Sequence, residues 1–377
     1  MKNSSSPSRK LRIAVLFGGR SGEHDVSLMS ARSVLAALDP EKYEVTQVGI
    51  TRDGEWFHGE NTLESFAQGD MQNLNRIVLP QEPLHSAIYQ LKITNHGQAL
   101  EKLADIDVFF PVLHGPFGED GTLQGLLELA DVAYVGAGVA GSSVGMDKGI
   151  FKDVMRANGI PIVDSILVLR SEIENDINAV IEQTEKMGAY PFFAKPANLG
   201  SSVGISKCNS RSDLGEGLME AARYDRRVVI ERGVGNVREV EVSVLGNEDP
   251  QTSVCGEVLP SREFYSYESK YIDGTSGLII PSQLPAEVTD RIRDYAVRAY
   301  KAIDCAGMAR ADFFFDNDTN QIYLNELNTL PGFTSISMYP KLWQASGLSY
   351  PKLVDRLIEL ALERKSQRDH TEHRRAA

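Results

Sequence analysis

The sequence predicts an α/β domain built on a mostly parallel sheet, followed by two α+β units. Three observations carry this. First, an apolar strand from Ile13 to Phe17 meets a glycine turn at Gly18-Gly19, then a helical stretch from Val26 to Leu38, the order found in parallel-sheet folds. Second, a helical segment from Met146 to Asn158 is stopped by Gly159 and Pro161, after which short strands flank a glycine-serine loop. Third, two strongly apolar strands, Ala311 to Phe315 and Ile322 to Leu324, are separated by a polar turn.

In the first unit, Tyr43 to Ile50 returns as a second strand. Ile106 to Leu113 is a third, running into the loop His114 to Asp120, and a helix from Leu123 to Ala130 leads to the strand Val132 to Val135. Ligands of such sheets gather at the carboxyl ends of strands, where Gly19 and His114 fall. The second unit has strands at Phe192 to Ala194, Val203 to Lys207 and Val228 to Ile230. The third adds a strand from Glu239 to Leu245 and helices from Asp290 to Ala302 and from Tyr350 to Leu362. Boundaries are expected at residues 1–145, 146–230 and 231–365, with a polar, frayed tail over 366–377.

A chain of 377 residues suits two or three domains. The net charge of -13 argues against binding nucleic acid or anionic membrane, whose phosphates it would repel. Three scattered cysteines form neither a disulfide framework nor a zinc site, so a reducing, cytoplasmic setting is expected. The apolar stretch after the Ser-rich, basic start is too short for a signal peptide, and no apolar run is long enough to span a bilayer.

Two motifs mislead. Gly136, Gly138 and Gly141 spell G-x-G-x-x-G, which raises an NAD-dependent oxidoreductase, but the next strand ends at Arg170 where that fold needs an acid. Asp316, Asp318 and Asn320 imitate a calcium loop, yet Gln321 occupies the glycine position. No Walker-type phosphate loop occurs.

Four constellations carry chemistry. Glu326 and Asn328 alternate along one strand and so share a face that Asp312 on the partner strand can meet. Acids on such apolar strands carry a large desolvation penalty, and a hard cation such as Mg²⁺ is the simplest compensation. Lys195 ends a strand ahead of the loop Asn198 to Gly204, so an ammonium and backbone N–H groups could hold phosphate, with Lys148 as a second cation. Glu231 and Glu239 flank a short loop after an apolar strand, suited to an adenine and a ribose. Glu23, Ser27, His114, Arg310 and Gly332 complete a candidate substrate set, each with an ordinary structural explanation as cap, turn or strand residue.

Together these segments resemble the D-alanine–D-alanine ligases of the ATP-grasp superfamily. The likeness runs in order through Gly18 to Ser27, His114-Gly115 with Gly118 to Gly121, Met146-Asp147-Lys148, Lys195-Pro196 with Gly200 to Gly204, Arg310-Ala311-Asp312, and Asn325 to Gly332. It spans about Leu11 to Glu363 and implies a pre-ATP-grasp domain followed by a two-lobed ATP-grasp fold. By resemblance, ATP phosphates fall to Lys148 and Lys195, adenine and ribose to Glu231 and Glu239, and the transferred phosphoryl group to Lys270. Two Mg²⁺ (or Mn²⁺) ions fall to Asp312, Glu326 and Asn328. The first D-alanine would meet Glu23, with His114 nearby, and the second would meet Ser337 and Met338. Arg310 and the Gly332 amide would face the oxyanion, while Ser201 and Tyr271 would join Glu23 in a hydrogen-bonded triad. The resemblance further implies two D-alanine molecules per turnover and a homodimer. Tyr271 resembles the residue of the dipeptide-forming members, with Phe associated with D-lactate. D-Alanyl-D-serine or depsipeptide synthesis, and a nucleotide-binding module without catalysis, are the competing readings.

Overall fold

The computed structural model describes residues 9–83, 86–259 and 277–372; Lys270 and Tyr271 lie outside them. Among the described residues the strands form three sheets. The first contains β1 (Leu11–Gly18), β2 (Tyr43–Ile50), β3 (Trp56–His58), β4 (Asn75–Val78), β5 (Ala87–Thr94), β6 (Gly97–Asp105), β7 (Val108–Pro111) and β8 (Ala133–Tyr134), in the order β6-β5-β4-β3-β2-β1-β7-β8. Helices α1 (His24–Ala37), α2 (Thr62–Gln68) and α3 (Thr122–Leu129) belong to this unit.

β2, β1, β7 and β8 run parallel, as expected, and their wholly buried runs such as Ile13–Phe17 form the core. The "mostly parallel" expectation needs correction, because β3 to β6 extend the sheet antiparallel. These added strands are short or exposed along much of their length, so their apolar pattern is weak. The β1–α1 turn depends on Gly18, at φ 88°, where a Cβ would sit 2.3 Å from the Ile50 carbonyl oxygen. Ser27 locks the same turn, accepting from Gly18 N at 2.8 Å and donating to the Val112 carbonyl.

Helices α4 (Val139–Met146) and α5 (Lys148–Ala157) lead to the second sheet: β9 (Ser165–Leu169), β10 (Phe192–Pro196), β11 (Ser206–Cys208) and β12 (Arg227–Arg232), in the order β11-β10-β12-β9. Helices α6 (Arg170–Glu185) and α7 (Arg211–Tyr224) cover it and bury Val180, Leu214 and Leu218 against Phe192 and Ile230. The third sheet has β13 (Val237–Gly246), β14 (Gln251–Leu259), β15 (Gly277–Ile279), β16 (Gly307–Asp316) and β17 (Gln321–Asn328), in the order β15-β14-β13-β16-β17. Helices α8 (Ala286–Ala302), α9 (Met338–Ala345) and α10 (Tyr350–Asp369) pack with it.

The tail expectation also needs correction. α10 continues through Asp369 because Arg364 and Arg368 reach Glu128 at 2.7 and 2.5 Å, and Lys365 reaches Asp131 at 3.3 Å, holding the last turns on the first unit. The three cysteines are free and buried, and burial pushes the Cys255 and Cys305 thiols up to about 12, as befits inert packing groups. No helix of the described residues is long and apolar enough to cross a membrane.

Candidate active site

α5 starts at a strong cap. Asp147 accepts from Gly149 N at 3.1 Å and Ile150 N at 3.0 Å, and its other oxygen pairs with Arg227 of β12. This pins Lys148 at the mouth of the helix, where Nζ donates to the Leu199 carbonyl at 2.7 Å. Burial lowers the Lys148 pKa, and the charge of Glu326 is the largest influence opposing it. β10 delivers Lys195, whose Nζ donates to Glu231 Oε2 on the neighbouring strand at 2.7 Å. These two lysines, from different elements, look into one cavity of about 470 Å³ lying against the second and third sheets.

The loop after β10 differs from expectation in detail. β11 starts at Ser206 rather than Val203, because Ser201 and Ser202 take left-handed backbone at φ 53° and 57° and close a turn. The Ser201 Oγ is buried with no hydrogen-bond partner among the described residues. Gly200 lets the loop approach the first unit closely: a Cβ there would lie 3.4 Å from both Glu23 and Glu119 carboxylate oxygens.

β16 and β17 pair with Asp312 opposite Glu326 and Arg310 opposite Asn328. A bulge after that pair shifts the register so that Phe313 faces Leu324, which leaves Asn325 as the extra residue. Asp312 carries a bidentate bond from Arg310, at 2.7 and 2.6 Å, and Arg310 Nε also lies 2.9 Å from Glu241 on β13. Asn328 Oδ1 accepts from Leu330 N at 3.0 Å. Two carboxylates and an amide oxygen at one end of a hairpin are a hard, all-oxygen donor set, and they fit a magnesium-like ion. Among the described residues no group of three or more His, Cys, Asp or Glu is placed to hold a metal.

The cavity is thus lined by Glu23, Lys148, Lys195, Ser201, Glu231, Glu239, Arg310, Asp312, Glu326 and Asn328. His114, Gly332, Ser337 and Met338 do not line it. His114 is buried behind Glu23, with Nδ1 3.1 Å from the Leu330 carbonyl and Nε2 3.0 Å from Ser30 Oγ; burial lowers its pKa and keeps the imidazole neutral. Gly332 is buried in the turn after β17. Ser337 immediately precedes α9, its Oγ accepting from Thr334 N at 3.1 Å, and Met338 packs with Val258 and Leu342.

Three further groups escaped the sequence reading. Glu119 sits in the Gly118 to Gly121 segment. Burial first, and the charge of Glu23 next, push its carboxyl well above the usual carboxylate range. Glu241 could have been found as the position two along from Glu239, on the same strand face. Lys152 lies one helical turn beyond Lys148.

A nucleotide-sized cleft between one α+β unit that supplies Lys148 and Lys195 and another that supplies Asp312 and Glu326 defines the ATP-grasp class of fold. Models of the D-ala D-ala ligase N-terminus and C-terminus match residues 12–137 and 154–359. The chain is 47% identical to the D-alanine--D-alanine ligase of Acetivibrio thermocellus over 366 residues, covering 94% of this chain and 96% of that one. It is 49% identical to that of Thermoanaerobacter pseudethanolicus over 361 residues, covering 95% and 98%. Its fold is similar to the D-alanine-D-alanine ligase from Coxiella burnetii (TM-score 0.80, 34% identity, 96% of each chain). It is also similar to the VanG D-Ala:D-Ser ligase from Enterococcus faecalis (TM-score 0.82, 34% identity, 94% and 100%). The chain therefore belongs to the D-alanine–D-alanine ligase family. Membership implies an enzyme that uses ATP, with metal ions typical of the family.

Proposed function

We propose that this protein is an ATP-dependent ligase that joins two D-alanine molecules into D-alanyl-D-alanine through a D-alanyl phosphate, for peptidoglycan precursor synthesis in the cytoplasm. The observation that carries this is the convergence in one cavity of lysines from α5 and β10, the acid-bearing hairpin β16–β17, and Glu23 from the β1–α1 turn.

A carboxylate resists attack because it has no leaving group, and phosphorylation supplies one. The transfer calls for positioning and charge neutralisation. Lys148 and Lys195 supply cations to the phosphates, with Lys270 reaching the transferred group, while Glu231 and Glu239 take adenine and ribose. Asp312, Glu326 and Asn328 would hold two Mg²⁺ or Mn²⁺ ions, whose charge would offset that of the phosphates. Glu23 pairs with the ammonium of the first D-alanine, next to the neutral His114. Ser337 and Met338 seat the second D-alanine. When its amine attacks, Arg310, anchored on Glu241, and the Gly332 amide stabilise the oxyanion.

The Ser201 hydroxyl, without a hydrogen-bond partner among the described residues, favours the expected bond with Tyr271 and Glu23, which would fasten a covering loop and keep water from the acyl phosphate. The units 1–145, 146–230 and 231–365 then act as substrate domain, lid and catalytic domain, within a homodimer. Phosphate release from ATP and Mg²⁺ with D-alanine against L-alanine tests the reading, with the product identified by mass. D-Serine as second substrate is a separate arm, given the likeness to a D-Ala:D-Ser ligase. Absence of ADP and of any joined product with D-alanine would refute it.

A further inference from the structure

Lys152 is buried, about 1% exposed, and the chemistry above makes no use of it. Its Nζ stands 3.0 Å from Glu231 Oε1, while Lys195 holds Oε2 at 2.7 Å. One buried carboxylate is therefore clasped by two lysines, one from α5 and one from β10. The two differ in access. Lys195 lines the cavity, whereas Lys152 is enclosed behind Glu231 and does not. A phosphate entering the cavity can recruit Lys195 but is screened from Lys152.

We propose that Lys152 is a positioning residue, the fixed counter-ion that keeps Glu231 a carboxylate, aimed at the amino group of adenine, when Lys195 turns from Glu231 to phosphate. This rests on the reading of the cavity as the nucleotide site. A buried carboxylate stripped of its last cation takes up a proton rather than remain charged. Burial alone would raise the Glu231 pKa, but Lys152 first and Lys195 second outweigh it and hold the group down at about 2. The other charges around the pair have their own demands. Lys148 on α5 donates to Leu199, Arg156 on α5 is bound to Asp153 and Ser165, and Arg232 on β12 pairs with Asp164. None of them substitutes for Lys152.

The test is calorimetric binding of ATP to the whole protein without D-alanine, in buffers of different ionisation enthalpy, which counts protons exchanged on binding. Purine riboside triphosphate, which lacks the adenine amino group, is the second probe. Wild type is expected to prefer ATP over this analogue. Lys152→Met is expected to take up about one more proton per ATP than wild type, with affinity falling by up to about tenfold per pH unit as pH rises. Its preference for ATP over the analogue should shrink by roughly tenfold. The double variant Lys152→Met/Glu231→Gln should lose the extra proton and the added pH slope.

A Lys152→Met protein with the wild-type proton count and pH dependence would overturn the proposal and leave Lys152 a packing residue. If Lys152→Met does not fold, the double variant decides, because a wild-type preference for ATP there shows that base recognition needs neither a charged Glu231 nor Lys152, and overturns the proposal. Wild type that binds ATP and the analogue equally would instead sink the adenine reading beneath the proposal, a pattern distinct from either.

Discussion

Asp147 stands at the joint between α5 and β12, and its replacement tests whether that joint positions Lys148, the lysine proposed to meet ATP phosphates. Its carboxylate accepts from two first-turn amides of α5 and pairs with Arg227. Loss of such a cap costs about 1 kcal/mol. The ion pair is largely enclosed, with side chains 13% and 16% exposed, so breaking it costs more than a surface pair, about 1–2 kcal/mol after allowance for residual solvent. Asp147→Ala should therefore destabilise the start of α5 by about 2–3 kcal/mol, and Asp147→Asn, which keeps an acceptor for the cap, by about 1–2 kcal/mol.

Hydrogen exchange by mass spectrometry over residues 148–157 reads this directly. Exchange should quicken roughly 30-fold or more for Ala and less for Asn. Because Lys148 is set by the same first turn, KM for ATP should rise in the same order. Identical exchange in both variants and wild type would refute the structural reasoning. Faster exchange with unchanged KM would detach Lys148 from nucleotide binding.

Glu326→Gln should abolish D-alanine-stimulated phosphate release while leaving the circular dichroism spectrum intact; near-normal turnover would remove Glu326 from metal binding. Tyr271→Phe should shift the second-substrate preference toward D-lactate, and an unchanged ratio of D-alanine to D-lactate products would remove Tyr271 from specificity. Asp107 offers a pH signature at the β1–β7 edge. Burial would raise its pKa, but bonds from Arg12 and Arg9 at 2.7–3.2 Å outweigh this and hold it at about 2, below the ordinary value near 4. Its folded-state pKa is depressed, so its contribution to stability is present above pH ~4 and lost as pH falls toward 2. Asp107→Asn should flatten that part of the stability profile in urea titrations, and an unaltered profile would show the pairing to be without effect.

Much of the molecule follows from short-range pattern. The apolar run Ile13–Phe17 before paired glycines had to be a buried strand ending in a tight turn, since few other arrangements hide five apolar side chains, and the structure places Gly18 there at φ 88°. Alternation along residues 321–328 likewise placed Glu326 and Asn328 on one face. These signals are local because side-chain direction repeats every two residues in a strand and every three or four in a helix. Tertiary structure decided what meets across elements. The bulge opposite Asp312, the antiparallel run β3 to β6, and the continuation of α10 onto Glu128 depend on partners far away in the chain. So does the clasp of Glu231 by Lys152 and Lys195. Each lysine is an ordinary residue in its own segment, and only burial beside one carboxylate turns their charges into a paired, low-dielectric site.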